Sequence, residues 1–343
     1  MKECHVDGLQ GWISVSRMRY YCRRCRKGFY PLDQRLKLSG TSRMSPQKEQ
    51  QLALLSVRLP YEEARKVYGE LTGHTTGRMT AHRTVQRLGC CERERPYSKP
   101  ERSKDAPRGV EHATADGTMI HIREEGWKEA KVGASYCVNE DRRAESIRYV
   151  GTLGSREFLG EKLYRLCGMP EGERTKKMAF IGDAAEWLTV IQELHFPGAT
   201  RIVDFWHASE WVWKVAGSLY GQGSRKAIVW AETRVSQLLK GSWRSVLWSL
   251  THSRGKTAEQ KETLHDAIRY FRNHGRKMNY PLYERQGFHI GSGIAEGACK
   301  HVIHCRFKQA GMRWSRNGAE NLLALRVAYL NQGNLTPYEY SSN

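Results

Sequence analysis

The apolar residues in the middle of the chain form short runs, and each run leads into an acid and then into a helical pattern. The run Lys176–Gly182 leads into Asp183, and the run Arg201–Val203 leads into Asp204. Short apolar runs that alternate with helical segments predict buried strands of a parallel sheet. Functional groups collect at the carboxyl ends of such strands. We therefore expect Asp183 and Asp204 on one working edge of a sheet.

Three more strands are predicted upstream. Glu111–Ile122 is strand-like and contains Asp116, and Trp127–Val138 and Ser146–Thr152 continue the pattern. Arg156–Leu166 then has the spacing of an amphipathic helix. The order strand, strand, strand, helix, strand, helix, strand predicts an α/β fold in which helices flank a mixed sheet.

Downstream of His207 the pattern becomes helical. Apolar positions recur at helical spacing from Trp211 to about Leu250, and a second basic helix runs from Ala258 to about Asn279. This periodicity predicts an all-helical insertion with its tryptophans in the core. A helix capped by Ser292 follows, with Glu296 one turn inside it. The last helix is predicted to begin with a capping box at 317–320.

The region before the sheet predicts three helices. They begin at Ser45–Pro46, at Pro60 and at Thr76, and a glycine-containing turn precedes the last one. This arrangement predicts a helix-turn-helix whose final helix enters the DNA major groove. A simple three-helix unit with a solvated basic face is the alternative. The residues expected to face DNA are Arg78, His82, Arg83 and Arg87.

Two cysteines near the N-terminus have the spacing of a zinc knuckle. Cys22 and Cys25 form a Cys-x-x-Cys motif, but zinc in a structural site needs four ligands. Only the adjacent pair Cys4 and His5 lies upstream. We therefore expect either a zinc ion held with the help of Cys4 or His5, or a vestigial site without metal.

Composition narrows the class of protein. The 343 residues carry a formal net charge of +20, which favours a polyanionic partner such as nucleic acid, although ribosomal and membrane-surface proteins share this basicity. No run of eighteen apolar residues and no signal peptide is evident, so a cytoplasmic protein without membrane association is expected. The nine cysteines are expected to be free thiols in that compartment.

The acids suggest metal chemistry. Carboxylates that converge on one sheet edge suit hard divalent cations, and two such ions can assist phosphoryl transfer. Taken singly, each acid also has an ordinary explanation: an Asp after a strand is usually a turn former or helix cap, and Glu296 with Lys300 has the spacing of a surface ion pair.

The order of four motifs resembles a known family. The motifs are Asp116-Gly-Thr, Gly182-Asp-Ala-Ala-Glu-Trp187, Ile202-Val-Asp-Phe-Trp-His-Ala-Ser-Glu210 and Ile290-Gly-Ser-Gly-Ile-Ala-Glu-Gly-Ala-Cys-Lys-His301. Together they resemble the DDE transposases of bacterial insertion sequences, in particular the ISKra type, which is related to the Mutator-like transposases. The resemblance extends from about Tyr20 to about Leu330.

The resemblance implies an RNase H-like catalytic domain that cleaves insertion-sequence ends and joins them to target DNA. It implies that Asp116, Asp183 and Glu296 hold two Mg²⁺ or Mn²⁺ ions, with Asp204 and His207 in support. The acids Glu186 and Glu210 remain rivals for the ligand positions. Loss of one knuckle of an N-terminal zinc ribbon is also implied, so the chain is expected to be N-terminally shortened.

Double-stranded DNA, as transposon end and as target, is the expected partner, and bringing two ends together implies a homodimer or a larger assembly associated with the nucleoid. A metal-dependent nuclease of the same fold and a non-catalytic DNA-binding remnant remain alternatives. Basic residues from the glutamate helix onward form a positive stripe: Lys300, His301, Arg306, Lys308, Arg313 and Arg316. Of these, Lys300, Lys308 and Arg313 are expected to contact DNA, together with Arg276 in the segment before the helix.

These expectations divide the chain into seven parts. They are a partial zinc-ribbon-like segment (1–36), a helix-turn-helix region (43–91), a linker (92–109), the first part of an RNase H-like core (110–207), a helical insertion (208–289), the glutamate helix with the C-terminal helix (290–333) and a tail (334–343).

Overall fold

A computed structural model describes residues 1–38, 43–95, 110–168, 177–333 and 335. Most of the predicted linker and of the predicted tail lie outside these residues. Contacts divide the chain into two compact units, each described separately below. The first unit contains the described residues of Met1–Pro96, Ile120–Lys128 and Val302–Asn343, and the second contains those of Tyr97–Met119 and Glu129–His301.

Two small hairpins open the first unit. They are formed by β1 (Lys2–Gly8) with β2 (Gly11–Arg17) and by β3 (Tyr20–Cys22) with β4 (Lys27–Phe29). The first hairpin was not expected from the sequence. Its Asp7 accepts a hydrogen bond from the buried Lys48 ammonium at 2.5 Å, which ties the hairpin to the helices that follow.

Helices make up most of the rest of the N-terminal region. They are α1 (Pro31–Arg35), α2 (Pro46–Arg58), α3 (Tyr61–Thr72) and α4 (Arg78–Glu94). Ser45 caps α2, with Pro46 at its first position as expected, and Gly73 ends α3 in the left-handed conformation at φ 68°. The helix α4 continues three residues beyond the predicted boundary at 91.

The second unit is built on a five-stranded mixed sheet. The sheet and its helices are β5 (Val110–Ile122), β6 (Gly126–Val138), β7 (Ala144–Thr152), α5 (Arg156–Cys167), β8 (Met178–Gly182), α6 (Glu186–His195) and β9 (Thr200–Val203). The end of β5 and the start of β6, within 120–128, are assigned to the first unit. The strands lie in the order β7-β6-β5-β8-β9, with β5, β8 and β9 parallel. The predicted α/β class, with a mixed sheet flanked by helices, is confirmed.

The two faces of the sheet bury different cores. Ala113 and Phe180 pack with α5 and α6 on one face. Ile181 and Ile202 face the other side, where they pack against the helices that follow β9. These helices are α7 (Phe205–Tyr220), α8 (Arg225–Leu239), α9 (Trp243–Thr251), α10 (Ala258–His274), a 3₁₀ turn (Gly275–Lys277) and α11 (Tyr280–Arg285).

The periodicity of the insertion correctly predicted helices, but it predicted the burial of the tryptophans less well. Trp211 and Trp230 are half-buried against the core. Trp213 and Trp248 are instead exposed, Trp248 by 64 %, and Trp248 stacks on His252 with ring centroids 4.2 Å apart. The expectation that these tryptophans fill the core therefore holds only in part, because helical spacing marks a face and not the depth of burial.

The last helices are α12 (Gly293–Ala298), a π-helical turn (Cys299–His304), α13 (Cys305–Phe307) and α14 (Arg316–Gln332). The predicted capping box at 317–320 is wrong by two residues: Ser315 is the N-cap of α14 and accepts from the Gly318 N–H at 3.2 Å. Within the described parts of the chain, every helix is too short or too polar to cross a membrane.

Candidate functional site

Three aspartates lie just beyond a row of paired residues that crosses three strands of the sheet in the second unit. Thr114 pairs with Ile181 across β5 and β8, and Ile181 pairs with Ile202 across β8 and β9. Asp116, Asp183 and Asp204 each lie two residues beyond a member of this row. Because neighbouring strands lie about 4.8 Å apart, the parallel pairing brings the predicted acids into one row. Asp183 and Asp204 follow the ends of β8 and β9, whereas Asp116 lies within β5, just beyond its pairing with β8.

Local backbone contacts hold Asp183 and Asp116 in place. A Cβ on Gly182 would lie 2.7 Å from the Leu188 side chain, so the end of β8 requires a glycine. Asp183 then turns the chain into α6, and its Oδ1 accepts from the Ala185 N–H at 3.0 Å. Asp116 similarly accepts from the Gly117 N–H at 2.7 Å. Both carboxylates are half-buried, and each uses only its Oδ1 in these hydrogen bonds.

Asp204 differs from the other two acids because protein donors occupy both of its oxygens. Its side chain is fully buried, and Oδ1 accepts from the N–H groups of Trp206 at 2.5 Å and His207 at 3.2 Å, which makes it the N-cap of α7. Oδ2 accepts from the N–H of Ser292 at 2.5 Å and from its hydroxyl. Asp204 therefore links the start of α7 to the segment at Ser292.

Ser292 is not the side-chain cap that the sequence predicted. It occupies the N-cap position of α12, but its hydroxyl is directed to Asp204 and caps no helical N–H. Two further contacts fix the same segment: Phe205 N–H donates to the Ile290 carbonyl at 2.9 Å, and a Cβ on Gly291 would lie 2.9 Å from the Trp206 ring. Glu296 itself is exposed, one turn beyond Ser292.

A buried arginine supports the central strand end. Arg201 donates to the carbonyls of Ile202 at 2.8 Å and Asp183 at 2.5 Å, with longer contacts to Gly182. Burial lowers the pKa of Arg201 to about 10, against the opposing attraction of Asp183, so the group stays charged at neutral pH. It thus places a fixed positive charge behind the acids.

His207 responds to the negative charge at this edge. Burial opposes the charged form of His207, but Asp204, Glu210 and Asp183 together raise its pKa above the ordinary value. Its Nδ1 lies 3.2 Å from the exposed Glu210 carboxylate. Glu186 is also exposed, at the first position of α6. His207 is therefore part of an acidic cluster and not an isolated histidine of the sheet core.

Gly117 is explained by a neighbouring side chain. A Cβ at this position would lie 2.3 Å from the carboxylate of Glu129. Glu129 pairs with Lys131 at 3.1 Å. The Glu129 carboxylate therefore lies against Gly117, and no sequence pattern signals it because the contact crosses two strands.

The donor set at this edge suits a hard divalent cation, since it consists of carboxylate oxygens. Among the described residues, however, no three His, Cys, Asp or Glu side chains form a ready-made metal-binding group. The fit is therefore partial: the Oδ2 atoms of Asp116 and Asp183 are available at adjacent positions, and Glu296 must turn toward them to provide a third ligand.

Cys22 and Cys25 supply only two of the four ligands that a structural zinc site needs. Cys22 ends β3 and Cys25 lies in the turn before β4; hydrogen bonds from Cys25 lower the pKa of the Cys22 thiol. In the described chain no third ligand joins them. Cys4 is buried in β1, and His5 contacts Ser14 instead.

The predicted DNA-contacting residues occupy varied environments. In α4, Arg78 and Arg83 are exposed and His82 is half-buried. Arg87 forms an ion pair with Glu49, which holds its guanidinium against α2. The residues Arg276, Lys300, Lys308 and Arg313 are all exposed.

One member of the predicted basic stripe is misplaced. Arg306 is completely buried and lines a cavity in the first unit. Arg123, which the sequence analysis did not single out, lines the same cavity but is exposed. The π-helical turn before α13 changes the direction in which the following side chains point, and sequence spacing alone does not reveal such a turn.

Comparisons with known proteins do not assign the chain to a family. A search of protein-family models finds no match, and a search of curated proteins finds no significant relative.

Proposed function

We propose that this chain is a DNA transposase that cleaves the ends of an insertion sequence and joins them to target DNA. The observation that carries the proposal is the row of Asp116, Asp183 and Asp204 just beyond the paired residues of three adjacent parallel strands, with the Glu296 segment bonded to Asp204. The strand order β7-β6-β5-β8-β9 is also that of the RNase H-like fold implied by the motif resemblance.

The chain's residues divide the work in this proposal. Asp116 and Asp183 would hold the divalent ions through their carboxylate oxygens, and Glu296 would complete the ligand set. Asp204 holds the start of α7 and the segment before Glu296 in position, while Arg201 fixes the end of β8. When bound, two Mg²⁺ ions supply charge stabilisation for the attacking and leaving oxygens of a phosphoryl transfer.

Charge on the rest of the chain supports a DNA substrate. The formal net charge is +20, and the exposed side chains of Arg276 and Lys300 lie on segments that flank Glu296 in sequence. Such groups bind phosphates and increase affinity by releasing counterions. The proposed partner is therefore double-stranded DNA, with two copies of the chain holding two ends.

The test is a cleavage and joining assay with a supercoiled plasmid carrying the element's ends, in Mg²⁺, Mn²⁺ or EDTA. We expect divalent-dependent nicks at the element boundary that Asp183→Asn and Glu296→Gln abolish. Glu232→Gln, which neutralises an exposed acid of α8, is the matched control and should retain activity.

The other outcomes distinguish the alternatives. Cleavage without joining to a second plasmid would identify a metal-dependent nuclease. Binding of DNA without any cleavage would identify a non-catalytic remnant. Activity that survives both Asp183→Asn and Glu296→Gln would refute the proposed site.

A further inference from the structure

A cavity of about 500 Å³ lies within the first unit and has no part in the proposed chemistry. The first turns of three helices contribute to its lining: Tyr61 from α3, Arg78 from α4 and Gly318 from α14. Its volume falls within the roughly 300–1,000 Å³ of small-molecule sites. It is therefore large enough for one nucleotide.

The charge of the cavity is strongly positive. Four arginines line it, and Glu62 is the single acid of the lining. Glu62 accepts a hydrogen bond from Arg65 at 3.0 Å and is also attracted by Arg78, so this one acid offsets only part of the charge of the four arginines. Among the described residues, no carboxylate forms an ion pair with any of the lining arginines. These arginines are Arg78, Arg123, Arg306 and Arg313.

Arg306 is the most informative of the four. It is 0 % exposed, its Nε donates to the Ser56 carbonyl at 2.9 Å, and its Nη2 has no hydrogen-bond partner. It lies between two rings, with its guanidinium carbon 5.0 Å from the Tyr61 centroid and 5.2 Å from that of Trp314. A buried charge without a counterion is costly, so this arrangement indicates an anion that the cavity is built to receive.

Helix polarity acts in the same direction. A helix N-terminus carries partial positive charge and unpaired N–H groups. The N-cap residues Pro60 of α3 and Gly77 of α4 provide no side-chain acceptor for those groups. Two helix starts therefore add to the field of the arginines at one place.

The walls of the cavity are apolar, which a phosphate alone does not require. Pro60, Met79 and Met312 line it together with the indole of Trp314. Purine and pyrimidine rings stack on such surfaces and on guanidinium planes. A base paired inside a duplex cannot enter a concave cavity, whereas an unpaired base can.

We propose that this cavity binds one unpaired nucleotide of a DNA substrate, with the phosphate among the arginines and the base against the apolar wall. This inference rests on the proposed function, because it assigns a nucleotide of the DNA substrate to this part of the chain. It extends that function by predicting a preference for DNA with a frayed or overhanging end.

The test measures binding of the full chain to labelled duplexes by fluorescence anisotropy. One duplex is blunt, one carries a single unpaired 3′ nucleotide, and one carries an abasic nucleotide at that position. We expect the unpaired nucleotide to strengthen binding by about tenfold over the blunt duplex, and the abasic residue to recover only part of that gain.

Variants test whether the cavity causes the stronger binding of the duplex with an unpaired nucleotide. The double variant of the exposed residues Arg123→Ala and Arg313→Ala should lose the preference while keeping its fold, and Arg306→Met should lose it as well. Lys66→Ala removes an exposed charge of α3 that does not line the cavity, and it should retain the preference.

Equal binding of blunt and overhanging duplexes would overturn this inference and leave the proposed function intact. Equal binding of abasic and complete nucleotides would overturn the role of the base. A preference that persists in the Arg123→Ala, Arg313→Ala double variant would place the nucleotide elsewhere and overturn the assignment. Absence of binding to all three duplexes would overturn this inference and the proposed function together.

Discussion

Replacing Asp204 should destabilise the protein far more than replacing Asp183, although both acids end strands at the same edge. Asp204 is fully buried and accepts four hydrogen bonds, two from the start of α7 and two from Ser292. Asp183 is half-buried and accepts one local hydrogen bond. The same substitution at the two sites therefore separates a structural acid from a chemical one.

The expected loss follows from those hydrogen bonds. An N-cap side chain contributes about 0.5–2 kcal/mol, and a hydrogen bond to a charged group about 1.5–3 kcal/mol. Because such contributions are not additive, we expect Asp204→Ala to lose about 3–5 kcal/mol of unfolding free energy. Asp204→Asn keeps one oxygen for α7 but faces Ser292 with an NH₂ group, so it should lose about 1.5–3 kcal/mol.

The assay is equilibrium urea unfolding followed by circular dichroism, with Asp183→Asn as the matched variant. Asp183→Asn should stay within about 1 kcal/mol of the wild-type chain while losing catalysis. A second control is Ser292→Ala, which removes only one of the four donors and should cost less than Asp204→Ala. If Asp204→Ala unfolds at the wild-type urea midpoint, the proposed structural role of Asp204 is refuted.

Three further predictions concern pH, the strand end and the helix packing. Burial lowers the pKa of His112 from 6.5 to about 3, so below pH 6.5 the unfolded chain binds a proton that the folded chain excludes. The contribution of His112 to the free energy of unfolding should therefore be complete above pH 6.5 and decrease toward pH 3. Urea midpoints across this range should decline less in His112→Gln. Arg201→Met removes the donor to the carbonyls of Ile202 and Asp183 and should lower the unfolding free energy by about 1–3 kcal/mol; an unchanged urea midpoint would contradict this. Gly89→Ala places a Cβ 2.2 Å from the Asn321 carbonyl oxygen and should lower the melting temperature, whereas Gly69→Ala meets nothing within 4 Å and should raise it; equal shifts would contradict the packing of α4 on α14.

Much of the second unit could be predicted from local patterns. The five strands and the two helices between them follow the predicted order. Asp183 and Asp204 follow apolar runs that do form strands, and Asp116 lies within one. Each of these features depends on residues close together in sequence. Periodicity and strand ends are therefore sufficient to predict them.

The features that were missed depend on contacts between distant residues. Ser292 bonds to Asp204 across 88 positions, and the Arg306 side chain reaches the Ser56 carbonyl across 250. The hairpin of β1 and β2 is anchored to α2 by Lys48, whose ammonium is buried against Asp7. A single sequence carries no periodic signal for such pairs, so basic spacing placed Arg306 on the surface when it belongs to the interior.

The same long-range bond determines how the candidate site can be assembled. Of the three aspartates in the row, Asp204 has both oxygens occupied by protein donors, so only Asp116 and Asp183 can offer oxygens to a cation. A third ligand must then come from outside the row. Glu296 lies one helical turn after Ser292, and Ser292 is bonded to Asp204. In the proposed site Asp204 therefore acts through the position of Glu296, and we expect its loss to reduce metal affinity although it would contact no metal.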